Sequence, residues 1–218
     1  MSAAQAQKTQ SESSRRRVGR PSKIKERREE ILDAFLTCAG RYGLAGATAD
    51  RIASELGVSR TLVFHYFGNR DALLHGAAER FLTRYAPRIE ALPDEPIEKR
   101  HQAIVNAFFE DLVPQESAST MARDCIVMAG IVSLSGRDPK VRRQIRRWWE
   151  RLLVTLTESI STAFPGAPAE TIDSVAYALT CLAEQHYNME FLGVGKSRRE
   201  GLKTIAYTIV CELSDDNA

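Results

Sequence analysis

Cysteine is scarce: Cys38, Cys125, Cys181 and Cys211 stand at least 30 positions apart in a chain of 218 residues. No Cys-x-x-Cys pair and no Cys/His zinc spacing occurs among them. That excludes a disulfide scaffold and a structural metal site, and leaves four small apolar side chains in a reducing compartment. Net charge is scarce too, +2 from 30 basic and 28 acidic residues, and so even a balance gives little overall field to attract nucleic acid. Long apolar runs are missing: nothing approaches the ~18–20 residues needed to span a bilayer. The Ser/Gln-rich and then Arg-rich start has no apolar segment behind it, so no secretory signal is read there and a cytoplasmic, membrane-free protein is expected. Strand-like alternation and internal repeats are absent. So are G-x-S-x-G, the P-loop, the dinucleotide fingerprint and H-E-x-x-H, which leaves an enzyme built on a helical bundle without support and no cofactor or metal to expect.

What is present is an ordinary globular composition, 44% hydrophobic and 27% charged, sufficient for a sizeable core in one large domain or two smaller ones. The charge is also segregated. Residues 1–70 carry 13 basic and 7 acidic side chains, whereas residues 71–218 carry 17 and 21. Most of the excess lies in Arg15, Arg16, Arg17, Arg20, Lys23, Lys25, Arg27 and Arg28, behind a polar tail at 1–14 expected to be disordered.

From about Lys25 the pattern is helical throughout. Ile31, Ala34, Phe35, Cys38 and Tyr42 form a stripe ended by Gly43. A short helix follows over 48–56, stopped by Gly57, then another over 59–67, and a longer one from Asn69 or Arg70 that breaks before Pro87. Prolines 87, 93 and 96 mark a boundary. Beyond it the spacing predicts helices over 97–113, 119–135, 138–164, 168–192 and 196–213. The expected fold is all-α: an N-terminal three-helix helix-turn-helix domain at 24–70 behind a flexible basic arm at 1–23, then a C-terminal helical bundle at 71–218 that includes a linking helix at 71–95.

The informative segment is TADRIASELGVSRTLVFHYF, residues 48–67. Two short helices can cross steeply where the contact residue is small, and Ala53 is placed for that. Gly57 supplies the positive φ of the turn, and Val58 fills the gap. Ile52, Leu56, Val63 and Phe67 face the first helix. This leaves Ser59, Arg60, Thr61, Leu62, Phe64, His65 and Tyr66 outward, the pattern of a helix-turn-helix whose second helix enters a major groove. The basic run upstream adds phosphate affinity.

Residues 25–75 resemble the TetR/AcrR-type transcriptional regulators. The likeness rests on REEILDAFLTCAGRYG, the Thr48 cap before RIASELGVS, and Phe64-His65-Tyr66-Phe67 followed by NRDALL. It implies that Thr48 and Ser59 are capping hydroxyls near phosphates, that Arg60 and Thr61 lie near base edges, that His65 and Tyr66 approach bases and backbone, and that Arg70 replaces a phosphate-binding lysine. Two positions depart from the family pattern. Phe64 stands in place of a tyrosine and offers only apolar contact, as to a thymine methyl, and Leu62 stands in place of a threonine. Val18-Gly19-Arg20-Pro21 also resembles an incomplete AT-hook, in which Arg17, Arg20 and Lys23 serve either ordered minor-groove readout or a flexible arm that merely raises affinity.

The resemblance further implies a homodimer through the last two helices and a small-ligand cavity among the middle ones. The 168–192 helix is apolar around most of its circumference and so needs burial on two sides. Phe108, Met121, Cys125, Met128, Trp148 and Tyr177 are candidates to line a pocket for a small apolar ligand, acyl or aromatic, with Glu184 and Asn188 as polar anchors; ordinary core packing is the alternative for each. His186 reads as a hydrogen-bonded core histidine. Lys140, Arg142, Arg143, Arg146, Arg147 and Arg151 lie opposite an apolar stripe and read as a solvated face; an attractor of an acidic ligand and a second nucleic-acid or lipid surface are the alternatives. The expected function is a ligand-responsive repressor on a palindromic double-stranded DNA operator. A DNA-binding protein whose second half only dimerises, or an activator, is the alternative.

Overall fold

A computed structural model of the chain describes residues 19–84, 99–111, 118–195 and 197–213, with backbone alone at 19–22, 110–111, 118–119 and 121. Arg17, the side chains of Arg20 and Met121, and the proline-bearing stretch at 85–98 lie outside it. Among the described residues there are nine α-helices and no strand, and no helix is long and apolar enough to cross a membrane.

Helix α1 runs from Gly19 to Gly46 and breaks at Gly43, where φ is 73°. Its start corrects one expectation. Gly19-Arg20-Pro21 forms the first helical turn, so the helix begins at Gly19, inside the stretch read as a flexible arm, rather than near Lys25. Proline in a first turn removes only an N–H that has no intrahelical partner, so it does not break a helix there. Helices α2 (Ala49–Leu56), α3 (Arg60–Phe67) and α4 (Arg70–Arg84) follow. Ile31, Phe35 and Cys38 of α1, Ile52 and Ala53 of α2, Val63 and Phe67 of α3, and Leu73 and Ala77 of α4 close one core. Each large side chain buried there is worth roughly 1.5–3 kcal/mol.

Helix α5 (Arg100–Asn106) widens into a π-helical turn at Ala107–Asp111. The periodicity over 97–113 predicts a continuous α-helix, which this turn interrupts. The wider turn buries the adjacent Phe108 and Phe109 together, and the Phe109 carbonyl accepts the Tyr187 hydroxyl at 2.7 Å. Helix α6 spans Ala118–Ser135 and α7 Pro139–Ala163. Asp138 caps α7 by accepting from the Lys140 and Val141 amides at 2.9 and 3.2 Å. Val141, Ile145, Trp148, Leu152, Leu156 and Ile160 make the buried stripe of α7. Helices α8 (Ala169–Phe191) and α9 (Arg199–Cys211) complete the bundle.

Close glycine crossings and a small polar cluster join the first four helices to the bundle. Gly40 of α1 receives Arg123 of α6, and Gly130 of α6 receives Leu44 of α1; a Cβ on either glycine would lie 2.8 or 2.7 Å from its neighbour. His75 of α4 meets Asp138 at 2.7 Å, and the Gln144 amide donates to the His75 carbonyl at 3.2 Å.

Candidate nucleic-acid interface

The turn between α2 and α3 is built as its residues require. The Thr48 hydroxyl accepts from the Arg51 amide at 3.3 Å, starting α2. Gly57 ends it at φ 65°, ψ 33°, a conformation in which a side chain is strained. The Val58 amide then donates to the Ala53 carbonyl at 2.9 Å, and the half-buried Val58 side chain packs on the core. Ser59 Oγ accepts from the Leu62 amide at 3.2 Å and starts α3.

Helix α3 is eight residues long, about 12 Å of axial rise, close to the width of a B-DNA major groove. Val63 and Phe67 are buried beneath it; Ser59, Arg60, Thr61 and His65 are exposed, and Leu62, Phe64 and Tyr66 are half-buried. His65 and Tyr66 meet edge to face with ring centroids 5.4 Å apart. One face of α3 therefore offers hydroxyl, guanidinium, imidazole and aromatic groups, with the first-turn amides at its end. Arg60 lies 3.7 Å from Asp50, the two side chains being 63% and 70% exposed. A pair so wet is worth ~0–1 kcal/mol, so a phosphate or base can displace Asp50 at little cost. Lys23 is exposed on the first turns of α1.

Arg70 is placed otherwise than as a free cation. Its guanidinium donates to the carbonyls of Leu44, Ala45 and Ala47 at 2.9, 3.4 and 3.1 Å, closing the end of α1. A residue not singled out from the sequence, Arg28, supports α3 from behind. It donates to the Tyr66 carbonyl, and its guanidinium carbon sits 4.2 Å over the Phe67 ring, a positive charge where the carbonyl end of a helix favours one. Only its membership of the basic run hinted at this.

The residues proposed to meet a ligand are more scattered. Phe108 and Trp148 are buried; Cys125, Met128, Glu184 and Asn188 are half-buried. Burial pushes the Glu184 carboxyl above its usual range. It also raises the Cys125 thiol to about 11, with the Glu184 and then the Asp124 charges adding to the effect. Tyr177 does not join them: it is 60% exposed, because the inner face of α8 is taken by Ile172, Val175, Ala176, Leu179 and Ala183. His186 is buried as expected, but among the described residues its Nε2 finds no hydrogen bond and lies 3.3 Å from a Glu190 carboxylate held by Arg199. A cavity of about 570 Å³ opens between α1, α4 and α6, walled by Asp33, Arg80, Arg84, Arg123, Asp124 and Val127. Among the described residues, none of those proposed from the sequence to meet a ligand lines it. No group of three or more potential metal ligands occurs among the described residues.

A family model described as bacterial regulatory proteins, tetR family, matches residues 31–77, from within α1 to the middle of α4. The HTH-type transcriptional regulator BetI of Burkholderia thailandensis is 31% identical over 156 residues, 70% of this chain and 77% of that protein. The chain belongs to the TetR family of bacterial regulatory proteins. It is thus a DNA-binding transcriptional regulator rather than an enzyme. BetI of Vibrio atlanticus is 28% identical over 150 residues, 67% of this chain and 72% of that one. The fold agrees over most of the length. A TetR transcription regulator from Haloarcula marismortui superposes with a TM-score of 0.68 at 19% identity, covering 85% of this chain and 97% of its own. A transcriptional regulator from Saccharomonospora viridis, solved in complex with choline, superposes with the same score and identity over 85% and 96%.

Proposed function

We propose that this TetR-family regulator is a homodimeric repressor. In this reading residues 24–70 form its reading head, residues 71–218 sense and dimerise, and a small organic effector releases it from a palindromic operator. The observation that carries the reading is the outward face of α3. Ser59, Arg60, Thr61, Phe64, His65 and Tyr66, with Thr48 at the start of α2, bring phosphate and base-edge contacts to one groove, and the basic residues ahead of and within the first turns of α1, Lys23 among them, add phosphate affinity.

The outer faces of α8 and α9 support the dimer. Tyr177, Met189, Phe191, Ile205 and Tyr207 are between 39% and 60% exposed there, an apolar surface of the kind a self-complementary interface covers. Two heads related by a two-fold axis then read half-sites ~34–36 Å apart. Effector and DNA must weaken each other equally, by ~1–3 kcal/mol in typical cases.

The effector is an apolar or amphiphilic small molecule seated among α5 to α8. One observation favours a positively charged head on it. Among the described residues Glu184 is a half-buried carboxylate with no basic partner, and binding a cation would relieve the cost of its burial. The choline held by the Saccharomonospora viridis regulator of the same fold is a ligand of that chemistry.

The test is a gel shift on operator fragments selected from genomic DNA, followed by titration with choline and, separately, with fatty acids. His65→Ala with Tyr66→Ala is expected to abolish specific retention while leaving the oligomer and effector binding intact. Retention by that double variant would remove α3 from the contact, and release by fatty acids but not choline would overturn the cationic reading.

A further inference from the structure

Helix α7 has a side that neither the core nor the head uses. Lys140, Arg143, Arg147 and Arg151 are all exposed and recur every three or four residues, so they form one row. At 1.5 Å per residue the row is roughly 16 Å long with a cation every ~5–6 Å. The other basic residues of the helix are committed: Arg142 donates to the Ser135 and Gly136 carbonyls at the end of α6, and Arg146 pairs with Glu150 at 2.6 Å. Among the described residues, none of the four side chains of the row makes an ion pair or a hydrogen bond.

The concentration is local. Helix α7 holds six basic and two acidic residues, which leaves 11 basic and 19 acidic elsewhere in residues 71–218. A solvated face needs charge but not charge of one sign, and an acidic domain that gathers its cations in one row presents a surface suited to a polyanion.

The place of the row narrows the partner. Its first members stand on the turns of α7 that are fastened to α4, through His75 and Asp138 at 2.7 Å and through Gln144 on the His75 carbonyl. His75 lies five residues, about 7.5 Å, along α4 from Arg70, where the reading head ends. We propose that the Lys140, Arg143, Arg147 and Arg151 face is a second, sequence-independent DNA contact, holding the phosphate backbone of duplex that flanks the segment read by α3. A strand of duplex carries one phosphate per 3.4 Å of axis, so a 16 Å row spans about five of them. The face supplies affinity and encounter rate and leaves base choice to α3.

The experiment compares the full chain with a Lys140→Gln, Arg143→Gln, Arg147→Gln, Arg151→Gln variant and with a charge-keeping Lys140→Arg, Arg143→Lys, Arg147→Lys, Arg151→Lys variant. Each binds a fluorescent 40-base-pair mixed-sequence duplex across a salt series, and circular dichroism checks the fold. Each lost phosphate contact lowers the slope of log affinity against log salt by about 0.9. The glutamine variant is expected to lose between one and four such steps and to bind at least tenfold more weakly at low salt, while the charge-keeping variant matches the native chain. An unchanged slope in the glutamine variant overturns the proposal. So does native binding to phosphatidylserine vesicles that the glutamine variant loses while its duplex slope stays the same, since that assigns the face to a membrane surface.

Discussion

Gly40→Ala should destabilise this protein, against the usual gain from replacing a helical glycine. Alanine in a helix interior is normally favoured by about 0.8–1 kcal/mol over glycine. At Gly40, however, the added Cβ would lie 2.8 Å from Arg123 Cβ and 2.9 Å from its Cγ. Because Cβ is fixed to the backbone, no rotation of Arg123 removes the first contact. The α1–α6 crossing must open by about 0.6 Å to restore an ordinary 3.4 Å approach. Overpacking of this kind costs typically 1–3 kcal/mol. Set against the propensity gain, the net is a loss of roughly 0–2 kcal/mol. Gly201 in α9 has nothing among the described residues within 4 Å of an added Cβ, so Gly201→Ala is the control and should gain about 0.5–1 kcal/mol. Urea unfolding at one protein concentration measures both. The reciprocal site extends the test: Gly130→Ala meets Leu44 Cγ at 2.7 Å, and adding Leu44→Ala should recover part of its loss in a double-mutant cycle. If Gly40→Ala stabilises as much as Gly201→Ala, the crossing is not close-packed and the reasoning fails.

Three other outcomes are expected. Ser59→Ala removes the cap on the Leu62 amide and should cost about 1 kcal/mol in thermal unfolding, together with weaker duplex retention; Ser59→Asp, which keeps an acceptor, should restore the stability but not the retention, since it sets a negative charge against phosphate. The hydrogen bond with His75, followed by those from the Val141 and Lys140 amides, holds the Asp138 carboxyl below its usual range. A depressed carboxyl contributes stability above its unfolded value of about 3.9 and loses it as pH falls through the folded value. Asp138→Asn should therefore be less stable than the native chain at neutral pH, and the two should converge in acid; a difference independent of pH would deny the carboxylate its part. Finally, at pH 8 iodoacetamide should spare Cys38 and Cys125, whose thiols burial pushes up, and reach the exposed Cys181 and Cys211 in the monomer only. Equal labelling of those two at every protein concentration would rule out a dimer through α8 and α9.

The parts legible in the sequence were those fixed by neighbours in the chain. Thr48, Gly57 and Ser59 act within four residues of themselves, and the apolar stripe opposite the Lys140 to Arg151 charges states which side of α7 is buried. What escaped depends on distant partners. Arg70 reads as one more phosphate-binding cation until the end of α1 is seen folded under it, 23 to 26 residues back. The π-helical turn has no periodicity of its own, and its carbonyl partner Tyr187 is 78 residues away. Tyr177 reads as a pocket candidate because the 168–192 helix is apolar around most of its circumference, and such a pattern does not say which side meets the helix's own core.

The Arg70 clamp also bears on how a signal can travel. For α4 to swing about its own start it would have to release hydrogen bonds from a charged donor to the Leu44, Ala45 and Ala47 carbonyls, each worth about 1.5–3 kcal/mol. That exceeds the ~1–3 kcal/mol by which an effector typically shifts a distant site. The bidentate pair of Arg80 with Asp33, both bonds at 3.0 Å, ties the same two helices a second time. A motion that keeps these bonds carries α1 to α4 together, and has to give instead at their contacts with α6 and α7, the Gly40–Arg123 crossing and the His75–Asp138 bond among them. An effector acting on such a machine would leave the shape of the reading helix untouched and change only where it is aimed.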